Sequence, residues 1–274
     1  MGLAGQGARQ YPIARSNGER MELPIFRRGT TGNGFLDIVI ADSDIGEERL
    51  GSIVNLVKNQ ELIKDSANVQ YMYFPIDALI SLRCDLESGY TAEFGQIGRE
   101  GFVGFSALMG NVTTQNTAIV QTEGRAYRIS SEAIQKIFDS SARFRRVTLQ
   151  YMQALMQEAA QSVICNRFHS ITQQFCRSLL LAADRLGTET VSLTHEQLAV
   201  AIGCRREAVS LAAKKLQSAG LIRYVYGQIV ILDRPALEAQ SCECYETIKL
   251  GFSMFFHAGH SDTPDSTDTE IEGA

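Results

Sequence analysis

The stretch from Thr194 to Gln217 constrains the fold more than any other part of this 274-residue chain. Thr194-His195-Glu196-Gln197 has the form of a capping box, in which the threonine hydroxyl accepts from the Gln197 N–H and the glutamine side chain reaches back. A helix then runs through Leu198, Ala199 and Ala201 to Ile202. Gly203 follows, and glycine can take the left-handed conformation that a tight turn between two helices requires. A second helix, Arg205 to Gln217, begins almost at once. Ala199 is small where two helices cross closely, Gly203 stands at the turn, and Val209 lies where the second helix packs back. Leu198, Ile202, Val209, Ala212 and Leu216 supply a shared core. This order is that of a helix-turn-helix; the plainer alternative is an ordinary helical hairpin.

On the second helix Val209, Ala212, Ala213 and Leu216 form the core side. Winding at about 100° per residue turns Glu207, Ser210, Leu211 and Lys214 the other way. Arg205 and Arg206 stand in its first turn, the end that points at base edges when such a helix enters a major groove. Arginine can donate twice to guanine, and glutamate can accept from cytosine N4. Beyond Gly220, Leu221–Tyr224 and Ile229–Leu232 read as two strands around Tyr226-Gly227-Gln228, a wing. Arg205, Arg206, Glu207 and Ser210 are therefore the candidate base readers. Thr194, Lys214 and Arg223 are the candidates for the backbone of double-stranded DNA, where contacts position without reading sequence.

A net charge of −5 looks unfavourable to that partner, but only a local positive face is needed. Between Asn166 and Asp233 stand Arg167, Arg177, Arg185, Arg205, Arg206, Lys214, Lys215 and Arg223, against Asp184, Glu189, Glu196, Glu207 and Asp233. Acid collects instead between Ser261 and Glu272. An apolar fraction of 45% supports real cores. Residues 1 to 21 lack an apolar h-region, and no apolar run reaches about 18 residues, so a cytoplasmic protein with no signal peptide and no membrane span is expected.

Residues 1–24 read as a flexible arm. From Asp37 to Ile63 apolar residues recur at helical spacing (Ile38, Ile45, Leu50, Ile53, Val54, Leu56, Val57), which predicts short helices broken near Gly46 and Gly51. After Ala67 come the aromatic run Tyr71–Pro75 and strand-like stretches at Leu79–Cys84, Thr91–Ile97, Ala118–Gln121 and Gly124–Ile129. Short strands at regular spacing predict a β-roll over residues 25–140. From Ser131 to Cys165 glycine and proline vanish, and Phe144, Val147, Tyr151 and Leu155 fall at spacings of three and four. Such a helix, 141–165, is either an intramolecular core helix or a coiled-coil-like dimer seam. A winged helix-turn-helix domain over 166–250 and a disordered tail over 251–274 complete an α+β chain.

The order β-roll, long helix, winged helix-turn-helix resembles the Crp/Fnr family of transcription regulators over about Val69 to Asp233. The most specific segments are Gly101-Phe102-Val103-Gly104 and Leu193 to Gln217. In Gly203-Cys204-Arg205-Arg206-Glu207-Ala208-Val209-Ser210, the resemblance places Arg206, Glu207 and Ser210 on base-contacting positions. Leu211 stands where several relatives carry an arginine. The resemblance implies a homodimer on a near-palindromic site, contact with RNA polymerase, and an N-terminal domain that biases a hinge near Asn166 in response to an effector the sequence does not identify. Cyclic-nucleotide binders of the family place a glutamate where Phe105 stands, and an arginine–serine or arginine–threonine pair where this chain has Thr113-Thr114-Gln115-Asn116-Thr117. Gly101, Gly104, Phe105, Gln115 and Asn116 thus form a degenerate ligand cassette, and a buried phosphate without a cation is costly. No cAMP or cGMP binding is expected. Residues 1–83 hold no cysteine and the first histidine is His169, which argues against the iron–sulfur cluster and haem of other members; no cofactor is expected.

Of six cysteines, only Cys242 and Cys244 are paired in sequence, and with His257 and His260 they are weak candidates for a metal or a redox pair. No metal site is assigned, because the spacing is not a standard zinc motif. Met152 and Met156 read as packing residues. No G-x-S-x-G, H-E-x-x-H, Walker or dinucleotide fingerprint occurs, and His195 and Glu196, adjacent on a helix, diverge; the chain is not expected to be an enzyme. The remaining alternative keeps the fold as a ligand- or protein-binding module without DNA affinity.

Overall fold

A computed structural model describes residues 29–41, 51–110, 113–225 and 227–258. The expected arm, 1–24, lies outside them, as do Ile45 and Leu50.

A short helix α1 (Gly34–Ala41) precedes seven strands: β1 (Ser52–Leu56), β2 (Glu61–Ile63), β3 (Tyr71–Pro75), β4 (Leu79–Asp85), β5 (Thr91–Ile97), β6 (Thr117–Thr122) and β7 (Gly124–Ser130). They form two antiparallel sheets, β1-β7-β3 and β2-β6-β4-β5, with a 3-10 helix, Phe105–Met109, between β5 and β6. The helices expected between 50 and 63 are strands. Ile53 and Val54 are β-branched, and β1 pairs along β7, Ile53 opposite Tyr127 and Leu56 opposite Gly124. The apparent helical spacing was a strand, a turn and a second strand read as one run.

Ser130 caps α2 (Ser131–Ser140), and Ser141 caps the long helix α3 (Ala142–Phe168) by accepting from the Phe144 N–H. Then follow α4 (Ile171–Leu186), β8 (Thr190–Val191), α5 (His195–Ile202), α6 (Arg206–Ser218), β9 (Ile222–Val225), β10 (Gln228–Ile231), α7 (Arg234–Gln240) and α8 (Cys244–Ala258). The strands β8-β10-β9 make a small sheet, with Ile229 between Val191 and Tyr224. Where a disordered tail was expected from 251, α8 continues to Ala258. It persists because Phe252 is buried, 6.1 Å from the Tyr151 ring, and Gly251 lies against Gln157 of α3.

The face of α3 bearing Phe144, Val147 and Tyr151 does not form a dimer seam. All three are buried in the chain's own core, and Leu155 is half-buried against it. Phe35 of α1 meets Phe102 at 4.6 Å, Phe144 at 5.8 Å and Tyr151 at 5.8 Å. Gly101 makes this possible, since a Cβ there would lie 1.8 Å from the Tyr151 hydroxyl. The opposite face carries Leu149, Met156 and Val163, each more than half exposed and seven residues apart. An aromatic core is what a roll-facing helix needs, so the larger side chains turn inward and the smaller aliphatic stripe is left outside. Met156 is part of that stripe and not a packing residue of this fold.

Asn166, near which a hinge is expected, is inside α3. The helix ends at Phe168, His169 is its C-cap, and Ser170 opens α4 with a capping box to Gln173.

Candidate nucleic-acid interface

The capping box at Thr194 is present: the Gln197 N–H donates to Thr194 Oγ1 at 3.1 Å, and the Thr194 N–H donates to Gln197 Oε1 at 2.9 Å. Gly203 sits at φ 72°, ψ 35°, the left-handed conformation that lets α5 stop and α6 start three residues later. Leu198, Ala199 and Ile202 pack against Val209, Ala212, Ala213 and Leu216 of α6. This buried side fixes which face of α6 is free. Arg206, Glu207, Leu211 and Lys214 are exposed, and Leu211 is 71% exposed.

Three of the expected contact residues stand differently from the simple reading. Arg205 is the N-cap of α6 rather than its first helical residue, and its side chain makes no cap bond. It is exposed, as is Arg206 directly after it. Ser210 is half-buried: its hydroxyl donates to the Arg206 carbonyl at 3.0 Å and lies 3.0 Å from His195 Nδ1. The Thr194 hydroxyl is engaged in its cap. Lys214 and Arg223 are exposed, Arg223 on β9 opposite Val230. Tyr226 of the wing lies outside the described residues.

His195 was not singled out as a site residue, yet it joins α5, α6 and the wing. Its ring is 4.9 Å from that of Tyr224 as well as against Ser210. Burial, and then the Arg206 charge, hold its imidazole below the usual histidine value. A neutral ring whose Nδ1–H donates to Ser210 fits a hydroxyl that already donates to Arg206. Sequence alone offered one hint, a histidine directly after a helix cap.

Two of the eight cations counted between 166 and 233 are not available at a surface. Arg177 and Arg185 are buried, Arg177 donating to Ser162 Oγ. Arg185 donates to Glu100 Oε1 at 3.0 Å and to Glu158 Oε2 at 2.7 Å. Three elements meet there: the loop after β5, the long helix, and the end of α4. Burial raises the Glu100 carboxyl despite the arginine, and it raises neighbouring Glu93, which accepts from Ser81 and Gln121, to about 7. Gln197 Nε2 also donates to the Gln121 carbonyl at 3.4 Å, and Thr122 to that of Ser192 at 3.3 Å. The helix-turn-helix is thus docked on the roll. A lone arginine closing the apolar run Leu179–Ala183 was the available signal.

The degenerate cassette surrounds little space. Val103, Gly104, Phe105, Asn116 and Ala118 line a cavity of about 20 Å³, room for roughly one water. Gln115 is exposed and does not line it, whereas Asn116 Oδ1 accepts from Cys84 Sγ at 3.1 Å.

Cys242 and Cys244 come together with Cys165 and His169. The four potential ligand atoms all lie within 4.8 Å of one another. The side chains of His257 and His260 lie outside the described ones.

Among the described residues, no helix is long and apolar enough to cross a membrane.

Known proteins can now be set beside this arrangement. The family model for a cyclic nucleotide-binding domain matches residues 53–141, and that for a Crp-like helix-turn-helix domain matches 173–240. No curated protein matches in sequence. Among solved structures, FixK2 from Bradyrhizobium japonicum aligns with TM-score 0.61 at 14% identity, covering 70% of this chain and 97% of that one. A CRP/FNR-family transcriptional regulator from Thermus thermophilus gives 0.55 at 20% identity, covering 69% and 98%. The c-di-GMP-responsive global regulator CLP of Xanthomonas campestris gives 0.54 at 17%, covering 73% and 99%. At these identities the likeness is one of fold. With both domain models matched in order on that shared fold, the chain belongs to the Crp/Fnr family of transcription regulators.

Proposed function

We propose that this regulator is a homodimer that binds duplex DNA through α6 in the major groove, with the wing against the backbone. One observation carries the reading: the buried side of α6 is fully used by its own domain, while Arg205, Arg206, Glu207, Leu211 and Lys214 face outward without cover. Arg205, Arg206 and Glu207 read bases; Lys214 and Arg223 neutralise phosphates. Ser210 acts at closer range, through His195 and the Arg206 carbonyl, to hold the first turn of α6. Two-fold symmetry calls for a near-palindromic site with half-sites about one helical turn apart. Regulation through RNA polymerase, in the cytoplasm and without enzymatic activity, accords with structural neighbours described as transcriptional regulators.

Selection of DNA from a random pool by the purified chain, followed by sequencing, tests this reading through palindromy. Arg206→Ala should then cost about 1–3 kcal/mol at one base pair and relax specificity there. An equal loss on all sequences would make Arg206 a phosphate contact instead. Failure to show salt-dependent binding to any duplex fragment would favour the module without DNA affinity, because phosphate neutralisation gives a steep salt slope.

The effector is not cAMP or cGMP in this reading. Ligand pockets are typically about 300–1,000 Å³, far above the cassette cavity, and among the described residues no arginine lines it. Calorimetry with either nucleotide is expected to show no binding in the micromolar range; a micromolar affinity contradicts the assignment.

A further inference from the structure

Three cysteines and a histidine from distant parts of the chain converge where α3 gives way to α4. Cys165 lies in the last turn of α3, His169 caps that helix, and Cys242 and Cys244 bracket the step from α7 to α8. Cys165 Sγ is 3.5 Å from Cys242 Sγ, and Cys244 Sγ is 3.4 Å from His169 Nδ1. All three cysteines are buried and free, and the histidine side chain is 14% exposed.

We propose that Cys165, His169, Cys242 and Cys244 form a four-coordinate zinc site that pins the α7–α8 segment to the joint between the long helix and the helix-turn-helix domain. Zn–S bonds of about 2.3 Å and Zn–N bonds of about 2.0–2.1 Å put tetrahedral ligands roughly 3.3–3.8 Å apart. The Cys165–Cys242 and Cys244–His169 separations are already of that size. Three sulfurs and an imidazole suit zinc among the common divalent ions. A [4Fe–4S] cluster, in which each ligand holds a different iron, needs its sulfurs more widely spread.

The surroundings are those a metal ligand needs. His169 Nε2 is 3.3 Å from Glu243 Oε2, so a carboxylate orients the ring and leaves Nδ1 to face the sulfurs. Gln161 Nε2 donates to Cys244 Sγ at 3.1 Å, a bond that favours the thiolate a metal requires.

The placement gives the ion a task. Cys165 and His169 belong to the end of α3, immediately before the Ser170 cap of α4; Cys242 and Cys244 belong to the segment beyond the wing. One ion holding all four sets the angle at which α4 leaves α3, and so where α6 stands. It also anchors α8 along α3, beside Tyr151 and Gln157. Metal binding itself does not depend on the DNA reading.

The full-length chain, purified reduced and without chelator, should contain one zinc per chain by mass-spectrometric metal analysis. Cobalt in its place should give the intense visible d–d absorption and sulfur-to-metal charge transfer of a tetrahedral thiolate site. Cys244→Ser and His169→Ala should lose the metal, and Cys84→Ser should keep it. Because a buried cysteine change can unfold the chain, Glu243→Gln is the informative variant: its carboxylate is exposed, and its loss should weaken zinc about 10–100-fold in chelator competition while the fold persists. A reduced wild-type chain that takes up neither zinc nor cobalt overturns the proposal. So does an intact mass two hydrogens short, with Cys165 and Cys242 joined and no metal present.

Discussion

Replacing Arg185 by methionine is expected to destabilise the chain by about 3–5 kcal/mol, the usual cost of removing one partner from a buried ion pair. Arg185 is 2% exposed, Glu100 is fully buried and Glu158 nearly so. Without the guanidinium, the Glu100 and Glu158 carboxyls lose the partner they share in the interior, and burial then favours the neutral form of Glu100 more strongly. The loss therefore grows with pH. Glu100 is raised by burial even with the arginine present; in the variant it rises further, while the unfolded chain ionises near its ordinary value. Between those two values the folded state binds more protons than the unfolded state, and stability falls as pH rises through that window. Urea unfolding at pH 5.5 and pH 8 is the measurement, with the larger drop in midpoint at the higher pH. Adding Glu100→Gln and Glu158→Gln to the variant should recover most of the loss, since a neutral network no longer lacks a cation. A single variant that loses less than about 1 kcal/mol at pH 8 would place this junction among ordinary surface contacts.

Met156→Glu is expected to leave the fold nearly untouched and to abolish the dimer. Met156 is 67% exposed, so its own chain loses little, within about 0.5 kcal/mol for a surface change. In the proposed homodimer, a two-fold axis along this face would set Met156 against its copy or a near neighbour, in a stripe with Leu149, Ala160 and Val163 at spacings of seven, four and three. Two glutamates in such a seam repel and are desolvated together. Sedimentation should show a monomer where wild type is a dimer. Affinity for a palindromic site should fall by about 100-fold or more, because the second half-site is no longer held nearby. A dimer that survives with unchanged DNA affinity would move the seam off α3.

These two variants bear on parts of the molecule that a reading of the sequence treated unequally. The helix-turn-helix was legible nearly to the residue, because every device that makes it is local. Thr194 and Gln197 cap within one turn, Gly203 takes a conformation costly for other residues, and Val209 to Leu216 repeat at helical spacing. Strands β4 to β7 were legible for a similar reason, being short runs with glycine turns between them, whereas β3 showed only as an aromatic run ended by proline. Strands β1 and β2 were not, since what makes Ile53 and Val54 extended is β7, some seventy residues on. On α3 the apolar positions announced a helix with two apolar sides, but not which side met the core. That depended on Phe35 and Phe102, which arrive from elsewhere.

From its sequence alone, this chain determined its element types, their order and the outward face of α6, because hydrogen-bonded turns, caps and periodicity act over a few residues. Only the tertiary structure decided which charges are buried, which face of α3 is left for a partner, and that Cys165 and His169 stand beside Cys242 and Cys244. Those outcomes rest on contacts between residues 27 to 116 positions apart, where packing and electrostatics choose the partner and local spacing carries no trace of the choice.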